Sequence, residues 1–463
     1  MLGLGTGGED LALQLLDGGL SVAGVEPRLV GGECPFWACI PSKMAIRASN
    51  LVAEARRIEG VAGSATVTPD WSQVARRIRE EAAGGWDDSA AVDRFQSRGG
   101  HLVRGWGRLD GPGRVVVGDR TLVARRGVVI ATGSRPAIPP IPGLDDVPYW
   151  TTHEAISAGE APESLVVLGG GPVGCELAQT FARFGTDVTV VEGRPRLLPN
   201  EEPEASRLLA TALESEGIRL RLGSRVSAAE RAEPGIRLML EDGSDLAARQ
   251  VLVATGRVVD TSELGLETAG VAADSPFIPV DERMRAGEGI WAMGDVTGKA
   301  MFTHVAYRQG VVIAADLLGR DVAPVDYDAL PRVTFTDPEV GAVGLTEEQA
   351  RGRGMDVAVA TKEVPATFRG WLHDTGMQGL VKLVIDEGAG TLVGGTVAAP
   401  GGGEILGLVS LAVHQGTPID DLRAMTYAFP TFHGAIGEAL GAYARGSGTV
   451  IDPDYAVHGY LPD

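Results

Sequence analysis

An α/β protein with two doubly wound, Rossmann-like units and a C-terminal α+β unit is the fold class this sequence predicts. Three observations carry that expectation. A glycine-rich loop followed by a helix, a strand and a terminal acid occurs twice, starting at Gly3 and again at Gly169. A strand running into Ala-Thr-Gly closes each half, at Val128–Gly133 and Val251–Gly256. From residue 330 the texture changes to strands near Val333–Phe335 and Gly379–Ile385, with helices over Glu404–His414 and His433–Tyr443.

The bulk numbers agree. The chain of 463 residues is too long for one core and long enough for several domains. Its 44% hydrophobic and 22% charged residues describe a soluble globular protein. No apolar run reaches membrane-spanning length. No basic segment with an apolar core opens the sequence, so a cytoplasmic location is expected. In that compartment a close cysteine pair is more often catalytic or metal-binding than structural. A formal charge of −20 argues against nucleic acid and anionic membranes as partners. Lysine occurs only at Lys43, Lys299, Lys362 and Lys382, which reads as genome composition, but it draws attention to Lys43 beside two cysteines.

In the first unit, Gly3, Gly5 and Gly8 fit G-x-G-x-x-G. A helical pattern follows (Leu11, Leu15), then an apolar strand ending in Glu26. Such glycines let backbone N–H groups reach a dinucleotide diphosphate at a helix N-terminus, and the acid binds ribose hydroxyls. The strand that should lead into Gly3 has only Met1 and Leu2, so it reads as truncated. The second unit is complete. Ser164–Leu168 is a buried strand, Gly169, Gly171 and Gly174 form the loop, and Asp187–Val191 leads to Glu192. Two such units imply two dinucleotides. Between them, Trp71–Arg94 reads as a helix, followed by a β-rich stretch and a Pro-rich linker from Pro136 to Pro142. The apolar run Ile290–Met293 leads into Gly294-Asp295.

The stretch Gly31–Lys43, GGECPFWACIPSK, places Cys34 and Cys39 five residues apart in a chain with three cysteines. A thiolate is the reactive form, and a helix start or a nearby cation lowers its pKa. The rival readings are two buried small apolar residues or a metal site. Zinc usually takes four ligands, and no Cys/His cluster stands nearby in the sequence. Phe36 and Trp37 lie between the cysteines and either line a flat substrate site or pack the helix. Cys175, at a helix start beside the second loop, reads as a packing residue.

Taken together, G-G-x-C-x4-C-I-P-S-K, the second glycine loop, both Ala-Thr-Gly segments, Gly294-Asp295 and Phe335–Gly341 resemble the FAD- and pyridine-nucleotide-dependent disulfide oxidoreductases, such as lipoamide dehydrogenase, glutathione reductase and mercuric reductase. The resemblance runs the length of the chain. It implies an FAD-binding domain at 1–148, an NAD(P)-binding domain at 149–263, a central segment at 264–329 returning to the FAD domain, and a dimerisation domain at 330–463, hence a homodimer. It implies that Gly3, Gly5, Gly8 and Glu26 bind the ADP half of FAD and that Asp295 holds the ribityl chain. Thr132, Gly133 and Gly256 join the cofactor-binding positions. Gly169, Gly171, Gly174 and Glu192 would bind the nicotinamide nucleotide, and Lys43 and Glu176 would form a pair near the flavin N5. Cys39 would face the flavin as the charge-transfer thiolate, and Cys34 would exchange with substrate. A carboxylate at Glu192 favours NAD(H) over NADP(H), although Arg194 and Arg196 follow closely.

The chain departs from this family on the proton side. Relatives that reduce disulfides carry His-Pro-Thr-x-x-Glu near the C-terminus, a dyad that protonates the leaving thiol across the dimer. Here Phe429 and Gly434 occupy those two positions, and phenylalanine transfers no proton. Substitutes are His433, one helical turn or roughly 6 Å further on, with Glu438 five residues after it, and Tyr427. The rival is an ordinary surface pair on a helix. Mercuric reductases lack the dyad but end in a cysteine pair, whereas this sequence ends Tyr460–Asp463, so mercury is disfavoured. The expected activity is electron flow from NAD(P)H through flavin and the Cys34–Cys39 pair to a disulfide. The alternatives are direct flavin reduction of a quinone or dye, and a component of a ketoacid dehydrogenase assembly.

Overall fold

The computed structural model describes residues 1–446 apart from Pro234 and Thr375; the C-terminal end Tyr460–Asp463, on which mercury is disfavoured, lies outside the described residues. The helices that position the site are, in chain order, α1 (Thr6–Asp17), α2 (Glu33–Phe36), α3 (Cys39–Arg56), α4 (Thr152–Ser157), α5 (Pro172–Arg183) and α6 (Thr303–Leu318).

The first sheet is assembled from distant pieces. Ala23–Glu26 pairs in parallel with His101–Arg104. Val128–Ile130 pairs in parallel with Ile290–Ala292, which runs antiparallel to Arg285–Gly287. The two halves meet at Leu2, which bridges Val25 on one side and Ile130 on the other, both in parallel. Leu2 is 1% exposed. Its amide donates to Val129 O at 2.8 Å and its carbonyl accepts from Ala131 at 2.7 Å. The short strand expected from Met1 and Leu2 is therefore a two-residue stitch at the centre of the sheet, with the backbone groups of Leu2 satisfied.

The second sheet is complete and all parallel, in the order Arg219–Leu222, Asp187–Glu192, Ser164–Leu168, Gln250–Val253. Its central strand Ser164–Leu168 is apolar because both faces are covered: Leu165 and Val167 pack on the helices, and Val166 and Leu168 pack on a three-stranded antiparallel sheet of Val226–Ala232, Gly235–Leu240 and Asp245–Ala248. The C-terminal sheet is antiparallel, in the order Pro331–Thr334, Glu339–Gly344, Thr391–Ala399, Leu380–Asp386, Val357–Glu363. Helices Gly402–Gln415 and Gly434–Gly446 stand close to the expected positions. No helix among the described residues is long and apolar enough to cross a membrane.

Two local expectations change. The helix expected over Trp71–Arg94 breaks. It runs Trp71–Arg77, widens into a π turn over Ile78–Ala82, and ends where Gly84 and Gly85 take φ of 54° and 71°; a new helix starts at Ser89. Adjacent glycines in the left-handed region stop a helical ladder. The segment read as a plain linker begins with Arg135–Pro136 paired antiparallel to Arg257–Val258, which ties the two Ala-Thr-Gly ends together.

A buried ionic knot joins the units. The Arg183 side chain on α5 is 2% exposed and meets Glu216 at 2.6 Å and Asp337 at 2.7 Å. Arg57, just past α3, reaches the same Asp337 carboxylate at 2.7 Å. Burial alone would raise the Asp337 carboxyl, but the two guanidiniums outweigh it and hold the group below its usual range. The helix that follows the cysteines is thus anchored at its far end.

Candidate active site

The redox loop lies against the first glycine loop. Gly32 has φ 67°, and a Cβ there would come within 2.8 Å of Gly5 Cα, so only glycine permits this approach. α2 makes a single turn carrying Cys34, and α3 begins at Cys39. Both cysteines are free thiols and half-buried. Cys39 sits where the first-turn N–H groups and the helix dipole favour an anion. The neighbouring Cys34 thiol favours a thiolate at Cys39. With the Thr303 hydroxyl 3.5 Å from Cys39 Sγ and the charge of Lys43, this brings Cys39 down to about 6 against the opposing effect of burial. The same neighbour relation, with burial, pushes Cys34 up. One sulfur is a ready thiolate and the other holds its proton.

Lys43 lies one turn beyond Cys39 on α3. Its Nζ is 2.8 Å from Glu176 Oε2 on α5 and 4.6 Å from the Phe335 ring centroid. Glu176 Oε1 accepts from the Phe335 amide at 2.9 Å. The pair foreseen from the sequence therefore forms, its carboxylate side chain 5% exposed.

The aromatics between the cysteines are fully engaged. Phe36 is buried. One face of Trp37 stacks on Trp86 at 5.3 Å and 21°, and it also stacks on His153 at 4.5 Å and 17°. Trp86 reaches the loop because of the glycine break described above. The His153 ring nitrogen lies 2.9 Å from the Glu33 carboxylate. That contact, opposing burial, helps hold the Glu33 carboxyl below its usual range. Of the two readings left open, packing is the one the geometry matches.

The two glycine loops are near duplicates. A Cβ on Gly3 would meet Ala131 O at 2.3 Å, and one on Gly169 would meet Ala254 O at 2.4 Å. A Cβ on Gly8 would meet Gly3 O at 2.7 Å, and one on Gly174 would meet Gly169 O at 1.9 Å. The middle glycines, Gly5 and Gly171, have nothing within 4 Å of that position. Each is the N-cap of its helix, α1 or α5, without a side-chain cap. Open backbone beside uncapped helix N-termini fits a dinucleotide diphosphate at both places. Glu26 accepts from the amides of Leu4 and Arg28 at 2.8 and 2.9 Å, with its carboxyl raised by burial. Glu192 accepts from Gly170 and Arg194 at 2.6 and 2.7 Å. Thr132 and Gly133 directly follow the first-sheet strand, with Gly133 at φ 70°, and Gly256 holds the matching place in the second unit at φ 118°. Asp295 Oδ2 accepts from Ser134 at 2.5 Å and lies 3.7 Å from Arg257. Cys175 is fully buried and its thiol donates to Gly170 O at 3.4 Å.

The C-terminal segment is arranged differently. Tyr427 donates to Leu422 O at 3.1 Å, and burial pushes its phenol up to about 12. Glu438 is taken by Lys362 at 2.9 Å, so His433 and Glu438 are not brought together as a hydrogen-bonded pair; His433 instead packs near the Tyr427 ring at 6.0 Å. Phe429 is 64% exposed and meets Phe368 edge-on at 5.2 Å.

Sequence reasoning missed Thr303, Glu33, His153, Ser134 and Arg257. Thr303 meets Cys39 across 264 positions, and no local spacing announces such a contact. Glu33 could have been noticed as an acid directly before a reactive cysteine.

Residues 1–310 match the family described as pyridine nucleotide-disulphide oxidoreductase, and residues 330–440 match its dimerisation domain. The chain is 35% identical to a dihydrolipoyl dehydrogenase of Haloferax volcanii over 95% of this chain and 94% of that one. It is 33% identical to a mercuric reductase of Acidithiobacillus ferrooxidans over 96% and 82%. Among solved structures it superposes on LpdA of Mycobacterium tuberculosis with a TM-score of 0.84 at 26% identity, covering 96% of this chain and 98% of that one. It superposes on RclA, an HOCl-induced flavoprotein disulfide reductase of Escherichia coli, with 0.83 at 27% over 95% and 98%. On sequence, fold and site geometry alike, the chain belongs to the pyridine nucleotide-disulphide oxidoreductase family.

Proposed function

We propose that this protein is a homodimeric, FAD-dependent NAD(P)H oxidoreductase that reduces a disulfide through Cys34 and Cys39. The observation that carries the proposal is the asymmetric thiol pair: Cys39 at a helix start with the Thr303 hydroxyl at 3.5 Å, favoured as thiolate, beside a protonated, half-buried Cys34. A bound flavin would supply two-electron redox chemistry between a reduced nicotinamide and the cysteine pair. The chain's own residues do the rest. The first glycine loop, Glu26, Thr132, Gly133 and Asp295 hold the FAD. Gly169, Gly171, Gly174, Glu192 and Gly256 serve the nicotinamide nucleotide. Lys43, fixed by Glu176, keeps a positive charge beside the Cys39 thiolate. Cys34 attacks substrate.

The domain limits 1–148, 149–263, 264–329 and 330–463 accompany this reading; strands Arg285–Gly287 and Ile290–Ala292 joining the first sheet support the return of the third segment to the first. NADH is the proposed donor. The Glu192 carboxylate would repel a 2′-phosphate, and the Arg196 guanidinium is bonded to Pro199 O and Glu201 O rather than free for one. The stacking of Trp37 on Trp86 and His153 and the burial of Phe36 favour a disulfide over a stacked quinone as acceptor.

The test is anaerobic reduction of the flavoprotein by NADH and by NADPH, followed by a panel of disulfides and quinones. Disulfide turnover that vanishes in Cys34→Ser is expected. Quinone turnover with no disulfide turnover in the unaltered protein would overturn the proposal. Glu192→Ala should narrow the NADH preference.

A further inference from the structure

The proton side of the reaction lacks its familiar acid, since Phe429 holds the position, Tyr427 is bonded to a backbone carbonyl and Glu438 is paired with Lys362. A different helix starts against the cysteines. Thr303 opens α6 with its hydroxyl 3.5 Å from Cys39 Sγ. Tyr307 is four residues on, on the same helix face and about 6 Å further along the axis. α1, which carries Glu9 and Asp10, packs against α6. We propose that Tyr307 is the proton donor to the thiol released from substrate, acting from the same chain as Cys34. This inference rests on the disulfide-reductase reading above.

Four features support it. Tyr307 is 38% exposed, so solvent can restore its proton. It makes no hydrogen bond to a described residue that would compete for that proton. The acids beside it are already engaged, Glu9 with Arg94 and Asp10 with Gln14 at 2.7 Å. Burial, the largest cause, raises the phenol above its ordinary range, which keeps it protonated at neutral pH.

The step balances. Cys34 sulfur bonds to one substrate sulfur as its proton passes to Cys39, the substrate S–S bond breaks, and the departing thiolate takes the Tyr307 proton. Cys39 then loses its proton to the second product as it attacks Cys34 and closes the protein disulfide. Two electrons leave the dithiol and reduce the substrate disulfide. One product proton is the one Cys34 carried; the other comes from solvent through Tyr307.

The test compares two probes on the FAD-loaded, full-length protein. Bis(hydroxyethyl) disulfide releases a weakly acidic alkyl thiol that needs protonation. A nitro-substituted diaryl disulfide releases a stable thiolate that needs none. Tyr307→Phe should slow turnover of the alkyl probe by about 10²-fold, leave the aryl probe within about twofold, and leave the rate of reduction by NADH unchanged. Equal slowing on both probes, or slowing on neither, overturns the role of Tyr307 and leaves the disulfide reading standing. Failure of the unaltered protein on both probes overturns the disulfide reading, and the Tyr307 role with it.

Discussion

The redox loop and the C-terminal segment are built to different standards. Around Cys39 every neighbour contributes: helix start, Cys34 thiol, Thr303 hydroxyl, Lys43 charge. Around Phe429 the proton-transfer groups are missing or occupied, since Tyr427 caps a backbone carbonyl and Glu438 serves Lys362. Electron transfer requires a tuned thiolate at one spot, so its parts are interdependent and hold together. Proton delivery requires only an acid within reach of the departing sulfur, so it can be moved to another element.

That contrast can be broken or sharpened by four substitutions. Cys39→Ser removes the thiolate and should cut disulfide turnover by roughly three orders of magnitude or more, measured as NADH-coupled reduction. Gly174→Ala places a Cβ 1.9 Å from Gly169 O; the nucleotide loop must shift, and the rate of flavin reduction by NADH should fall about 10²-fold in a stopped-flow trace. Lys43→Met deletes a cation that lowers Cys39. The midpoint for thiolate alkylation, near pH 6 in the unaltered protein, should move up, so labelling at pH 6 slows while labelling at pH 9 changes little. Phe429→His restores an imidazole without a carboxylate to orient it and should change turnover by less than about twofold. A large gain from that last variant would mean the C-terminal segment still governs proton delivery.

What the sequence disclosed follows from what physics makes local. The glycine loops were readable because Gly3, Gly8, Gly169 and Gly174 each face a backbone atom that excludes any side chain. The thiol pair and Lys43 were readable because one helix carries Cys39 and Lys43 a turn apart. The Lys43–Glu176 pair came from the resemblance, since α3 and α5 meet only in the folded chain. Thr303 and Tyr307 were invisible for the same reason. Trp37 was ambiguous because its partners, Trp86 and His153, come from a glycine break and from α4. The Trp71–Arg94 helix was misread because the apolar period continues through Gly84-Gly85, where the backbone does not.

The Trp37 stack also makes the loop observable. Two indoles 5.3 Å apart and inclined by 21° couple their strong electronic transitions, and such a pair gives a two-signed band in far-ultraviolet circular dichroism that neither ring gives alone. Because Trp37 lies between the two cysteines while Trp86 lies outside the loop, that band is a built-in optical gauge. Its amplitude reports, without any added label, whether opening and closing the disulfide shifts the loop that carries it.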